Sequence, residues 1–238
     1  MIGLTFALRS ESSELFRRLE ARRREGKLTF GRIGPPSPTP PRALGHDVVI
    51  VHTGVGAKYC NERLELLIHQ ARPRLIISAG FAGAVTEELH AGDLIMAENF
   101  SDASLLTRAK QILRERAKPL KLFTSTSIVD SVEERNEIAR VSGAAAVDME
   151  TGGIVAVCRA HGVPLLSLRV ISDTPSEPFP APMSILFDVE RQRTNYGRLF
   201  AYILREPAAI HRLMRFGRAI AGARAKLTDA IVALVREL

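Results

Sequence analysis

Leu165–Asp173 has the sequence LLSLRVISD, an apolar run that ends in a carboxylate. Such a run is typical of a strand that is buried on both faces of a sheet. Residues 48–51 (VVIV), 75–78 (LIIS) and 144–147 (AAAV) have the same character, and helical patterns lie between them. Strands of this kind alternating with helices predict an α/β fold with three layers, a central mixed β-sheet flanked by helices.

Weaker patterns extend this prediction over the remaining chain. We expect strands at residues 2–8, 94–97 and 120–123, and helices that begin near Glu11, follow Gly56, and occupy 105–116 and about 150–160. The proline-rich residues 34–41 predict a loop joining two strands, because proline removes backbone donors. We predict a single domain over 1–238, with an amphipathic helical segment at about 195–238 that packs on the body.

Composition narrows the classes of protein and partner. The net charge of +7 lies largely in residues 17–24 and 191–236, which contain no nucleic-acid motif, so we predict solvated faces and no nucleic-acid partner. Cys60 and Cys158 both lie in helical patterns and are predicted to be core thiols in a reducing compartment. The longest apolar run, residues 75–85, is shorter than a membrane span, which predicts a soluble cytoplasmic protein.

Two glycine-containing segments follow predicted strands. Gly54 and Gly56 stand between a strand and a helix, where backbone N–H groups could approach an anion, although a structural turn is the better explanation of these two residues alone. The second segment, residues 78–84 (SAGFAGA), places Phe81, Ala82 and Gly83 directly after a buried strand. Small residues there leave room for a ligand at the carboxyl edge of the sheet, and close helix–strand packing is the alternative.

Carboxylates stand at three strand ends or helix starts. Asp148 is best explained as a helix cap, whereas Glu150 could accept two hydrogen bonds from a sugar diol. Asp173 ends an apolar strand, and Ser172 could orient it. A partly buried Asp is more easily protonated than a free one, so Asp173 is a candidate general acid, with a turn residue as the structural alternative.

The sequence favours neither a metal nor a cofactor. Its six histidines have no metal-ligand spacing, and its two cysteines form no cluster. The chain also lacks the Gly-x-Ser-x-Gly pattern of a serine nucleophile. We therefore predict no metal, no cofactor and no serine nucleophile.

The motifs taken in order resemble the nucleoside phosphorylase/nucleosidase superfamily, and most closely its methylthioadenosine/S-adenosylhomocysteine nucleosidase branch. They occupy residues 78–84, 91–95, 146–151, 163–164 and 169–173. The resemblance implies that Asp173 protonates a purine base, that Glu150 binds the ribose hydroxyls and that Met149 packs against the sugar. It further implies that Glu11 positions the attacking water and that Val129 offers backbone hydrogen bonds to the base.

The sequence also departs from this family. Ile128 stands where the family has an aromatic residue that stacks on the purine, and Phe81 replaces a small hydroxyl residue. Residues 202–218 resemble the C-terminal part of hopanoid-associated phosphorylases, which act on a lipid-tailed nucleoside. A basic amphipathic helix there could contact an anionic membrane peripherally, and ordinary helix packing is the alternative.

These observations lead to one main hypothesis. The chain is predicted to be an enzyme that hydrolyses the N-glycosidic bond of an adenine nucleoside, with phosphorolysis as the alternative reaction. The sequence does not decide between two 5′ substituents of this nucleoside, a small thioether and a hopanoid chain. A non-catalytic nucleoside-binding protein is the alternative of another class. A homo-oligomer is implied by the resemblance.

Overall fold

The computed structural model describes residues 1–34, 45–54, 57–180, 205–206 and 209–238. The strands are β1 Ile2–Phe6, β2 Leu19–Glu25, β3 Leu28–Ile33, β4 His46–His52, β5 Ile76–Ala84, β6 Leu94–Ala97, β7 Ala117–Leu120, β8 Leu122–Thr124, β9 Ala146–Asp148 and β10 Leu165–Asp173. The helices are α1 Arg9–Arg17, α2 Ala57–Ala71, α3 Ala103–Leu113, α4 Val132–Ser142, α5 Thr151–Ala160 and α6 Ala209–Glu237. A short 3₁₀ helix, Arg114–Arg116, follows α3.

All the described strands join one mixed sheet. Its main order is β2-β3-β4-β1-β5-β10-β6-β7, and β9 pairs with both β5 and β8. The central strands β4, β1, β5 and β10 run parallel, whereas β2, β3, β6 and β9 introduce antiparallel pairs. The predicted mixed sheet is therefore confirmed.

Helices cover both faces of this sheet, which confirms the three-layer architecture. On one face α1, α3 and α6 pack against apolar side chains of β1, β5 and β10 in a core that includes Leu4, Leu105 and Ile231. On the other face α2 and α5 enclose a second core around Leu64 and Ile154. The alternation of side chains along a strand sends neighbouring residues to opposite faces, so the central strands have to be apolar throughout.

The C-terminal helix α6 is embedded in the first core. Its second half is buried on the sheet through Leu227, Ile231 and Leu234, which confirms the packing predicted from helical spacing. Its first half is more exposed, and Ile210 and Met214 face the surroundings. No helix in the described part of the chain is long and apolar enough to cross a bilayer.

Several sequence predictions need correction. The residues from Gly80 to Gly83 are the second half of β5, not a loop after it. Lys121 divides the strand predicted at 120–123 into β7 and β8. Helix α4 and strand β2 were not predicted. The proline-rich loop (beyond Gly34) and the first part of the C-terminal segment lie outside the described residues.

The two cysteines are free and buried, as predicted for core thiols. They lie on α2 and α5, the two helices that share the second core. Burial raises the pKa of Cys60 and of Cys158 to about 12. Both therefore remain neutral thiols at physiological pH.

A bulge near the end of β10 sets the direction of its last residues. The pairing with β5 is regular up to Ile171 opposite Ala82, and then resumes with Asp173 opposite Gly83. Ser172 is therefore the extra residue. A bulge of this kind redirects the side chains that follow it, and here it lies where strand ends from several parts of the chain meet.

Candidate active site

A cavity of about 380 Å³ opens at the carboxyl ends of β1, β5, β9 and β10. Its volume lies within the range that small-molecule sites occupy. Most of the side chains singled out in the sequence line it together: Glu11, Phe81, Ala82, Gly83, Ile128, Val129, Met149, Glu150, Ser172 and Asp173. The structure thus brings together residues that are up to 162 positions apart in the chain (173 minus 11).

The Glu11 carboxylate is fixed by two backbone N–H groups. Leu8 N–H donates to Oε2 at 2.8 Å and Phe81 N–H donates to Oε1 at 3.1 Å. A Cβ at position 80 would lie 2.9 Å from Glu11 Oε1, so Gly80 permits this close approach. Burial raises the pKa of Glu11, and the two N–H donors together with Arg169 oppose that shift. The result is a carboxyl group held in one orientation on the cavity wall.

Both carboxylate oxygens of Asp173 have partners. The Ser172 hydroxyl donates to Oδ1 at 2.5 Å, and the Arg135 guanidinium donates to Oδ2 in a buried ion pair. Burial raises the pKa of Asp173, while Arg135 and Ser172 act in the opposite direction and Asp130 adds to the rise. Asp173 can therefore carry a proton more readily than a free aspartate, yet has a cation beside it to stabilise its charge.

A second buried ion pair supports the floor of the cavity. Arg169, in the middle of β10, donates from Nε to Asp148 Oδ2 at 2.9 Å and from Nη1 to the Ser78 carbonyl at 2.8 Å. The Thr151 hydroxyl and backbone N–H also donate to Asp148. Asp148 thus anchors the start of α5, although Glu150 is the N-cap residue, and it also neutralises Arg169.

Glu150 lies in a less favourable electrostatic setting than the other acidic residues of the cavity. Burial, together with the negative fields of Asp148 and Glu11, raises the pKa of Glu150 to about 8. Arg169 only partly offsets this effect. Glu150 therefore holds a proton more readily than a free glutamate, and donors such as sugar hydroxyls would favour its ionised form.

The remaining walls of the cavity are largely apolar. Ile128 lines the cavity, as do three aromatic side chains, Phe81, Phe179 and Phe216. Phe179 and Phe216 pack edge to face with ring centroids 5.5 Å apart. Flat aromatic and aliphatic surfaces of this kind suit the faces of a heterocyclic base.

The first glycine segment does not fit the anion-binding hypothesis where it is described. Gly54 has φ +79° and its backbone N–H donates to the Ala7 carbonyl at 3.0 Å, so this donor is already used in a turn. Gly56 lies outside the described residues. Within the described chain, no group of three or more His, Cys, Asp or Glu side chains is arranged to hold a metal ion.

Sequence reasoning missed two arginines that organise the site. Arg169 interrupts an apolar strand, and a charged residue in such a position requires a buried partner, which is a usable signal. Arg135 lies on α4, in the same helical stripe as Ile138 and Ala139, which face the small core around Val129. The capping pattern Ser131-x-x-Glu134 could have revealed this helix, but not the target of its arginine.

These features define an α/β protein with a largely apolar cavity, which also carries carboxyl groups, at the strand ends of a mixed sheet. A comparison with protein families finds that the Phosphorylase superfamily matches residues 7–110 and 96–206. The chain belongs to this superfamily, and the resemblance noted in the sequence is confirmed.

Individual relatives agree with this assignment. A 5'-methylthioadenosine/S-adenosylhomocysteine nucleosidase of Staphylococcus aureus is 28% identical over an alignment of 156 residues, with coverage of 53% of this chain and 68% of the relative. The futalosine hydrolase of Helicobacter pylori superposes with a TM-score of 0.69 at 19% identity, covering 100% of this chain and 97% of that one. An S-adenosylhomocysteine nucleosidase from Streptococcus pyogenes gives 0.70 at 19% identity, covering 100% and 96%. At these identities the structural matches establish the shared fold.

Proposed function

We propose that the protein is a purine nucleosidase that hydrolyses the N-glycosidic bond of an adenine nucleoside. The observation that carries this proposal is the convergence of Glu11, Glu150 and Asp173 on one largely apolar cavity. The names of relatives support it, because those compared above are a methylthioadenosine/S-adenosylhomocysteine nucleosidase, a futalosine hydrolase and an S-adenosylhomocysteine nucleosidase.

Asp173 acts as the general acid. Its Oδ–H bond breaks as the proton passes to a ring nitrogen of the base, and the electrons of the breaking C1′–N bond remain on the base. The ribose ring gains oxocarbenium character, as in other glycoside cleavages. Glu150 accepts hydrogen bonds from the ribose hydroxyls and is ionised when they are bound. Met149 packs against the sugar, and Val129 offers its backbone to the base.

Glu11 positions and activates the nucleophile. The water oxygen bonds to C1′ while one of its protons passes to Glu11, so that the products are free base and free sugar. The carboxylate of Glu11 also argues for water over phosphate, since an anionic nucleophile would be repelled by a buried negative group. Phosphorolysis therefore remains the second candidate, with the same acid and the same ribose contacts.

The finer features of the substrate and assembly belong to the same proposal. The apolar lining from Phe179, Phe216 and Ile220 suits a hydrophobic 5′ substituent, either a small thioether or a longer lipid chain. The enzyme is proposed to work in the cytoplasm as a homo-oligomer, with the exposed first half of α6 available for peripheral membrane contact. Among these features, the 5′ group is the one that a substrate series tests directly.

Base release from a nucleoside series tests the reaction. Methylthioadenosine, S-adenosylhomocysteine, adenosine and an adenosylhopane analogue are each incubated with the enzyme, with and without phosphate, and the sugar product is identified by chromatography. Phosphate-independent release of adenine with a free sugar supports the nucleosidase. A ribose 1-phosphate product would instead establish a phosphorylase, and binding without release from any substrate would favour a non-catalytic binder.

The Asp173→Asn variant tests the role of the acid. An amide cannot supply the proton, so we expect kcat to fall by about 10²- to 10⁴-fold with little loss of adenine binding. Asp47→Asn is the matched control, because Asp47 is exposed and paired with Arg32 on the surface. Unchanged turnover in Asp173→Asn would remove Asp173 from its assigned role.

A further inference from the structure

The buried ion pair between Arg135 and Asp173 lies beside the reaction and has no part in the mechanism described so far. Arg135 is 2% exposed and Asp173 is 1% exposed, so solvent screens their interaction very little. Both side chains line the cavity. The interaction is therefore in a position to act on the proton of Asp173 while a base is bound.

Arg135 is held rigidly in this position. Its Nη1 donates to the Ala84 carbonyl at 2.7 Å, and its Nη2 donates to the Val129 carbonyl at 3.3 Å as well as to Asp173. The two carbonyls belong to β5 and to the segment ahead of α4, so three parts of the fold fix one guanidinium. A planar guanidinium fixed in this way needs little reorganisation when charge develops beside it.

The backbone is shaped to seat this pair. A Cβ at position 83 would lie 3.1 Å from Asp173 Oδ2 and 3.4 Å from Arg135 Nη1. Gly83 therefore leaves room for the two paired side chains, and a larger residue at this position would crowd them. Its partner in the sheet is Asp173 itself, placed there by the bulge at Ser172.

We propose that Arg135 is a positioning residue that drives proton transfer from Asp173 to the departing base. This inference rests on the proposed nucleosidase activity. A guanidinium binds a carboxylate more strongly than a neutral carboxylic acid, so its contribution increases as the proton leaves Asp173. An interaction that is stronger in the transition state than in the ground state accelerates the reaction. Burial alone would retain the proton, and Arg135 makes it transferable.

Two charged groups act on Asp173 from the elements around it. Arg135 on α4 favours the carboxylate, and Asp130, on the segment ahead of α4, favours the protonated acid. The first is buried and in direct contact, whereas the second is exposed. Removal of Arg135 is therefore expected to dominate any change in the titration of Asp173.

The pH dependence of kcat distinguishes this role from a purely structural one. Activity requires protonated Asp173 and declines as pH rises through its pKa. Without the neighbouring cation that pKa increases, so in Arg135→Gln and Arg135→Met the alkaline limb should move up by about one unit or more. The maximal rate should fall by about 10- to 100-fold, because the ionised acid is less stabilised.

Two further variants serve as controls. Arg135→Lys keeps the positive charge and should leave the alkaline limb near its wild-type position while restoring part of kcat. Arg140→Gln removes an exposed arginine from the same helix, where it pairs with Glu137, and should change neither. A reduced rate with an unmoved limb in Arg135→Gln would assign Arg135 to structure alone and overturn the proposal.

A titration that needs no turnover separates this proposal from the nucleosidase assignment. The ¹³C resonance of the Asp173 carboxyl, assigned with Asp173→Asn, should have a higher midpoint pH in Arg135→Gln than in wild type. If the substitutions prevent folding, the Arg135 Nη resonances of the wild-type protein should shift with the same midpoint as Asp173. Arg135 resonances that do not respond when Asp173 ionises would overturn the pairing even in an enzyme that releases adenine.

Discussion

Two carboxyl groups in the same cavity face opposite electrostatic surroundings. Asp173 has Arg135 in contact, whereas Glu150 has the negative Asp148 and Glu11 nearby. Burial raises the pKa of both groups, but only Asp173 has a cation as a direct partner. Environments that separate two carboxyl groups in this way commonly divide them into different roles. In the proposed mechanism this division corresponds to proton donation by Asp173 and hydroxyl binding by Glu150.

The raised pKa of Glu150 predicts a pH-dependent gain in stability for Glu150→Gln. This pKa rises from 4.5 to about 8 on folding, so between these values the folded state holds a proton that the unfolded chain lacks. The free energy of unfolding contributed by Glu150 therefore falls as pH rises through this window. Glutamine carries no charge and avoids this loss. The Tm advantage of Glu150→Gln over wild type should grow from pH 5 to pH 9, by roughly 2–4 °C per kcal/mol.

Differential scanning calorimetry at a series of pH values measures this trend. Glu65→Gln, on an exposed position of α2, is the control and should show a constant difference from wild type. Glu150→Gln should also weaken ribose binding and raise KM, since the amide has one acceptor where the carboxylate has two. A Tm difference that does not vary with pH would contradict the raised pKa of Glu150.

The sequence could identify acidic residues of the site more easily than basic ones. Asp148, Glu150 and Asp173 each stand at a strand end, where the topology of an α/β sheet brings ligand-binding residues together. Arg135 had no such signal, because its target lies 38 positions away and is reached only when α4 packs beside β5. Local patterns specify where a helix starts. They do not specify which distant group its side chains contact.

Helix α4 is a short element on which the position of Arg135 depends. The Ser131 hydroxyl accepts from the Glu134 N–H at 3.1 Å, and Gly143 ends the helix with φ +65°. Ser131→Ala removes the cap at a cost of about 1 kcal/mol, which lowers Tm by roughly 2–4 °C in a chain of this size. Because Arg135 follows one turn later, we also expect kcat to fall by about two- to fivefold.

Thermal unfolding and steady-state kinetics of one variant pair test this dependence. Ser131→Asn retains a side-chain oxygen that can cap the helix, so it should keep most of the stability and turnover. Equal loss in both variants would show that the cap does not control Arg135. A fall in Tm without a change in kcat would show that loosening the start of α4 does not disturb the site.

Whether a strand can be predicted from the sequence depends on how much of it is buried. The central strands are apolar throughout because both faces are covered, and β10 was therefore predicted from composition alone. In β2 only Leu19 is buried and the remaining residues are exposed, so an edge strand of arginines and glutamates has no apolar pattern. Its pairing with β3 relies on backbone hydrogen bonds, which any sequence supplies. Such strands are invisible to a search for hydrophobic periodicity.

At the scale of the whole molecule, α6 connects the core to the cavity. Its second half is buried with Leu227 and Ile231 on the sheet, whereas Phe216 and Ile220 of its first half line the cavity. The same helix is therefore an integral part of the fold at one end and part of the cavity wall at the other. Occupation of the cavity should then stabilise the first half more than the second.

Binding of adenine, the proposed product, should raise the Tm through this connection. At a concentration 100 times Kd, a ligand that binds only the folded state adds about 2.7 kcal/mol, which corresponds to roughly 5–10 °C here. Phe216→Ala removes apolar surface from the cavity and its edge-to-face contact with Phe179, so adenine should bind more weakly and the shift in Tm at the same concentration should be smaller.

Met214→Ala is the matched control, because Met214 is 52% exposed on the same helix and is absent from the cavity lining. Hydrogen exchange should show increased protection in residues 210–220 on binding and little change in residues 227–235. An equal rise in Tm on adenine binding in both variants would show that Phe216 does not contribute to binding. Protection confined to the second half of the helix would contradict the proposed coupling of core and cavity.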